Sequence, residues 1–128
     1  WHFATHQRNY TTLRNPVAAV EFVKSQRPPG PIYNRYGWGG YLIYHLYPVY
    51  RVYIDGRADV YGDQFFTEAM RTYDGAGDWA KSLERYGIKT VLISPDAPLA
   101  SLLKNDYRNW KVVYEDDQAI IFTQTSNI

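Results

Sequence analysis

Ile88-Lys89-Thr90-Val91-Leu92-Ile93-Ser94 decides the fold. The stretch is short, apolar at its centre and rich in β-branched residues. A strand that is apolar at successive positions has both faces buried, as in the centre of a sheet covered by helices on either side. The flanks agree. Upstream, Asp78 caps a predicted helix with Trp79, Leu83 and Tyr86 on one face, and Gly87 supplies its stop. Downstream, Pro98 opens a short helix that turns Leu99, Leu102 and Leu103 inward. Helix, buried strand, helix is the rhythm of an α/β sheet.

The same rhythm continues outward. Phe66, Ala69, Met70 and Tyr73 fall at i, i+3, i+4 and i+7 behind Asp63, which predicts a helix ended by the turn Asp74-Gly75-Ala76-Gly77. Further upstream, Asn15-Pro16 opens a helix to about Ser25 with Ala19, Phe22 and Val23 on one face, closed by Arg27-Pro28-Pro29-Gly30-Pro31. Ile32-Tyr33-Asn34 is a short strand and Gly37-Trp38-Gly39-Gly40 a turn. Tyr41 to Leu46 fits strand or helix. The four-residue spacing of Leu42 and Leu46 favours helix. Tyr50 to Ile54 reads as a strand broken by Asp55-Gly56. At the end of the chain, Lys111–Glu115 and Gln118–Thr123 flank Asp116-Asp117, a hairpin with a two-residue turn. The expected fold is α/β: a three-layer sandwich with a mostly parallel sheet and a C-terminal antiparallel β-hairpin at its edge. Residues 15–124 form the single domain, 1–14 a polar lead-in or linker, and 125–128 a tail. A chain starting Trp1-His2-Phe3-Ala4 reads as an excised fragment.

Composition narrows the function. The 128 residues carry a formal net charge of +1 with no stretch of five like charges, which argues against a nucleic-acid partner. There is no cysteine, so disulfides and thiolate metal sites are excluded, while the compartment stays open. Tyr41 to Ile54 contains His45, Pro48 and Arg51 and cannot span a bilayer. The 13 Tyr and 4 Trp are many for this length; they suit a core rim, or a surface for sugars, peptides or a membrane.

Ligands of open α/β sheets bind beyond the carboxyl ends of the strands. Three groups of polar residues follow the predicted strands: Asn34, Arg35 and Tyr36; Asp55, Arg57 and Asp59; Ser94 and Asp96. In Asp55-Gly56-Arg57-Ala58-Asp59 two carboxylates flank a guanidinium. They fit polar contacts to a ligand, acid–base chemistry, or a structural ion-pair network. Tyr36-Gly37-Trp38-Gly39-Gly40-Tyr41 is either an aromatic-walled binding loop or a close approach of helix to sheet. It matches neither glycine-rich phosphate motif. His2 and His6 lack a third ligand, so no metal and no cofactor is expected. No serine sits in a nucleophile elbow, and no catalytic residue is assigned. Asn9-Tyr10-Thr11 fits a glycosylation acceptor pattern.

Several of these segments together carry a resemblance. Pro16 to Lys24 with Pro28 and Gly30, Asn34-x-Tyr36-x-Trp38-Gly39-Gly40-Tyr41-Leu42, and Val52-x-Ile54-Asp55-Gly56-Arg57-x-Asp59-x-Tyr61-Gly62 are joined by Tyr86-Gly87, Val91-Leu92-Ile93 and Val113-Tyr114-Glu115-Asp116. Over residues 16–124 the chain resembles a bacterial domain that forms the C-terminal soluble tail of multi-spanning membrane proteins. Those proteins resemble lipid-linked-sugar glycosyltransferases of the dolichyl-phosphate-mannose type. The loop Tyr36–Tyr41 is also similar in place to the Trp-Trp-Asp-Tyr-Gly loop of oligosaccharyltransferase catalytic subunits. It has one Trp and lacks the sequon-reading Asp, so it implies general acceptor binding.

The resemblance implies an extracytoplasmic, membrane-tethered domain, not itself catalytic, whose partners are its own transmembrane domain and a glycan or acceptor polypeptide. On that reading Trp38, Tyr36 and Tyr41 stack, and Asn34, Asp55, Arg57 and Asp59 make polar contacts. Two alternatives stand beside it: a structural docking module on a membrane protein, and a small free-standing hydrolase using Asp55 and Asp59.

Overall fold

In the computed structural model, which describes residues 14–50 and 63–125, the run that decides the fold is the strand β2, Thr90–Ile93, buried at all four positions. Before it come helix α1 (Val17–Gln26), strand β1 (Ile32–Asn34), a 3-10 turn at Tyr36–Trp38, and helices α2 (Gly39–Leu46), α3 (Asp63–Tyr73) and α4 (Trp79–Arg85). After it come α5 (Pro98–Asn105), β3 (Trp110–Glu115) and β4 (Ile120–Gln124). The strand expected at Tyr50–Ile54 lies, after Tyr50, outside the described residues, as do most of the lead-in and tail.

The sheet order is β1-β2-β4-β3. β1 runs parallel to β2 with Tyr33 opposite Val91, whereas β4 is antiparallel to both β2 and β3. The sheet is therefore mixed rather than mostly parallel. The hairpin explains the difference. After α5 the chain lays down β3 one strand away from β2, and β4 folds back into the gap, pairing Leu92 with Ile121. The hairpin supplies half of the described sheet instead of trimming its edge.

Alternation along the strands divides the core. Tyr33, Val91, Ile93, Ile120 and Phe122 pack with Ala69, Leu83, Leu99 and Leu103, from α3, α4 and α5. Ile32, Leu92 and Ile121 pack with Ala19, Val20, Val23, Leu42 and Leu46, from α1 and α2. The near-continuous apolar run at β2 follows from serving both clusters.

Local signals set the helix ends. α1 begins one residue later than expected, with Pro16 as its N-cap, and ends where Arg27 turns left-handed (φ 51°) and returns its N–H to the Val23 carbonyl at 2.9 Å. Gly87, at φ 66°, ends α4 as the sequence predicts. The glycine-rich stretch is not a turn throughout, because Gly39 and Gly40 already belong to α2.

The hairpin loop is longer than the expected two residues. It spans 116–119 between the paired Glu115 and Ile120. Asp116 causes this: its Oδ1 accepts the backbone N–H groups of Gln118 and Ala119 at 2.7 and 2.8 Å, while its own N–H donates to the Ala119 carbonyl. An aspartate that satisfies two following amides stabilises a wider turn. The Tyr114 hydroxyl donates to the other carboxylate oxygen.

Candidate functional site

The strand ends make a rim. The backbone N–H of Arg35 donates to the Leu92 carbonyl at 3.2 Å, extending the β1–β2 ladder one step beyond Asn34. That fixes where the Arg35 side chain starts. Its Nη1 donates to Ser94 Oγ at 2.6 Å, and the guanidinium lies 5.6 Å from the centroid of the Trp38 ring. One half-buried cation thus bridges the carboxyl ends of two adjacent strands and is held from below by an aromatic face. Asn34 is fully buried, with its Nδ2 donating to the Arg35 carbonyl at 2.8 Å. Tyr36, 41% exposed, follows at the surface, and Asp96 is exposed in the turn after Ser94.

The structure therefore brings Asn34, Arg35, Tyr36 and Ser94 to one place. Trp38 takes the packing role, one of the two the sequence left open, rather than the stacking role that the resemblance implies. It is 1% exposed, its Nε1 donates to the Arg14 carbonyl at 2.9 Å, and its ring belongs to the α1–α2 side of the core. Its face supports Arg35 rather than a ligand. Tyr41 is half-buried on α2, its ring 4.3 Å from that of His45. Asp55, Arg57 and Asp59 lie outside the described residues.

A second polar constellation was not picked out from the sequence. It centres on Glu68 of α3. Glu68 Oε2 accepts from Ser82 Oγ at 2.6 Å and from Arg85 Nη1, and Oε1 accepts from the Tyr86 hydroxyl at 3.2 Å. The Ser82 hydrogen bond, followed by the charge and hydrogen bond of Arg85 and by Tyr86, outweighs burial and holds the carboxyl below its usual range. Tyr86 moves the other way, raised first by burial and then by the Glu68 charge. Glu68, Ser82 and Arg85 line a cleft of about 510 Å³ between α3 and α4, completed by Gln64, Thr67, Arg71 and Asp78. The signal for it was two helical faces with polar residues at i, i+3 and i+4: Glu68, Arg71 and Thr72 on one, and Ser82, Arg85 and Tyr86 on the other. Only the placement of the two helices shows that these faces meet.

A third feature is aromatic. Tyr44, Tyr47 and Val49, at and after the end of α2, are 82%, 71% and 69% exposed. Beside them a smaller cleft of about 200 Å³ is lined by Lys24, Arg27, His45, Val49 and Tyr50. The Tyr50 hydroxyl is committed to the Pro28 carbonyl at 2.6 Å.

Among the described residues no group of three or more His, Asp or Glu is placed to hold a metal ion, and no helix is long and apolar enough to cross a membrane. Compared with protein-family models, curated proteins and solved structures, the chain matches none.

Proposed function

We propose that this chain is an extracytoplasmic domain, membrane-tethered in its intact protein, that binds or positions a glycan or acceptor polypeptide for a glycosyltransferase-like membrane partner without performing the chemistry itself. The observation that carries the reading is the Arg35 bridge. A guanidinium anchored to Ser94 and braced on Trp38 sits where open α/β sheets bind ligands, with Tyr36 exposed next to it. Arg35 offers further N–H groups in a fixed fork, suited to carboxylate, carbonyl or hydroxyl oxygens. Tyr36 adds an aromatic surface for a sugar ring or peptide. Of the motif residues that carry the resemblance, Asn34 and Tyr36 stand at this rim and Val91-Leu92-Ile93 forms the strand that ends there. Helices on both sides of the sheet, a three-layer arrangement that the two core clusters support, leave the strand ends as the open side.

Calorimetric titration of the chain with short oligosaccharides and with unstructured peptides tests this. Saturable binding that weakens at least about tenfold in Arg35→Ala supports the reading, as expected for loss of a charge-assisted contact. Binding that is indifferent to Arg35, or absent at millimolar ligand, removes the rim as the site.

The exposed Tyr44, Tyr47 and Val49 favour a second reading, a module that docks on its own transmembrane domain. It predicts that Tyr44→Ser with Tyr47→Ser leaves small-ligand binding intact and weakens association with that domain. The reading as a small hydrolase makes a separate demand: turnover by the isolated chain that Asp55→Asn abolishes.

A further inference from the structure

The cleft between α3 and α4 is not part of the strand-end rim, and its chemistry differs. Its volume, about 510 Å³, falls in the range of small-molecule sites, roughly 300–1,000 Å³. Most of its lining residues, Gln64, Thr67, Glu68, Arg71, Asp78 and Ser82 among them, carry hydrogen-bonding side chains, which suits a hydroxyl-rich ligand. The two arginines within it are in different states. Arg85 is spent on Glu68. The Arg71 side chain makes no hydrogen bond or ion pair among the described residues. Its guanidinium lies across Gly77, where an added Cβ would stand 2.9 Å from Nη2. Gly77 also adopts φ +63°, so the backbone there both favours glycine and leaves the space that Arg71 fills. One turn back on the same face of α3, the Glu68 carboxylate is held in place by Ser82, Arg85 and Tyr86 and kept ionised, a fixed acceptor. Asp78 adds a second acceptor at the mouth.

An uncommitted guanidinium and a preorganised carboxylate lining the same cleft, with Gln64 and Thr67 also in its wall, sort ligands by chemistry. A plain anion gains Arg71 but meets Glu68 and Asp78. A neutral sugar gains the carboxylates but leaves Arg71 unanswered. A molecule with one oxyanion and several hydroxyls satisfies both sides. We propose that this cleft binds an acidic saccharide, its carboxylate or phosphate on Arg71 and its ring hydroxyls donating to Glu68. The inference does not depend on the rim, and the two sites report through different residues.

The test is a nitrogen–proton NMR titration of the whole chain with glucuronate, glucose 6-phosphate, glucose and inorganic phosphate. The proposal expects at least one of the two acidic sugars to shift the amides of residues 67–85 saturably while residues 34–36 stay put, and which one binds tells carboxylate from phosphate. It expects glucose and inorganic phosphate to bind at least about tenfold more weakly, because each makes only half of the contacts. Arg71→Ala, at an exposed position, keeps the fold by circular dichroism and loses the binding about tenfold or more, and Arg71→Lys restores part of it. The proposal is overturned if neither acidic sugar binds at millimolar concentration, if inorganic phosphate binds as tightly as they do, or if Arg71→Ala binds unchanged.

Discussion

Asp116 and Trp38 show how much a single side chain decides here. Asp116 organises the hairpin loop through two backbone amides and Tyr114. Burial acts to raise its carboxyl pKa, but the Tyr114 hydroxyl and the two amides prevail, leaving it below the ordinary value of 3.8. A carboxyl lowered in the folded state contributes stability fully above its unfolded value and loses it as pH falls through the folded one. The account therefore expects Asp116→Asn to reduce stability near neutral pH and to flatten the acid limb below about pH 4, measured by urea denaturation across pH. Tyr114 has the opposite sign. The Asp116 hydrogen bond, with burial and nearby negative charge, pushes it from 10.0 up to about 12. Its contribution is present below pH 10.0 and fades towards about pH 12, and Tyr114→Phe should remove that basic dependence. Trp38 is a packing residue. Trp38→Ala should cost about 3–5 kcal/mol, the usual penalty for emptying an aromatic site in a core, whereas an exposed stacking residue would cost almost nothing.

Among elements, those with short-range signals were legible and those defined by distant pairing were not. β2 could be read around Val91-Leu92-Ile93 because burial on both faces writes apolar residues at successive positions. α4 could be read because Asp78 and Gly87 bracket it, although the Asp78 side chain makes no capping hydrogen bond. Gly87 carries a direct prediction: nothing lies within 4 Å of an added Cβ, so Gly87→Ala meets only the left-handed backbone, a cost of about 1–2 kcal/mol seen as a lower thermal midpoint. The hairpin was legible as two strands and a turn but not as the neighbour of β2, since Leu92 opposite Ile121 is a choice made across the whole chain. The loop length escaped for a smaller reason: Asp116 bonds the amides of residues 118 and 119, a geometry that a simple two-residue turn cannot supply. Trp38 was ambiguous because an indole between glycines fits an exposed loop and an enclosed corner equally well until α2 is seen to begin at Gly39.

For the molecule as a whole, the mixed sheet serves two cores, and its strand ends gather Asn34, Arg35, Tyr36 and Ser94. The rule about carboxyl ends located Asn34, Arg35, Tyr36 and Ser94 from sequence. It could not show that Arg35 is the hub, because the bond to Ser94 joins residues 59 apart in the chain. The α3–α4 cleft was hidden for the same reason, since Glu68 meets Ser82 and Arg85 only when two helices are packed. The central claim is that the rim at Arg35 receives a glycan or an acceptor polypeptide. Amide chemical shifts of the full chain, followed as an oligosaccharide or an unstructured peptide is added, test it most directly. The account predicts saturable movement of Arg35, Tyr36 and Ser94, lost in Arg35→Ala without loss of fold. Movement confined to other surfaces, or none at millimolar ligand, would contradict it.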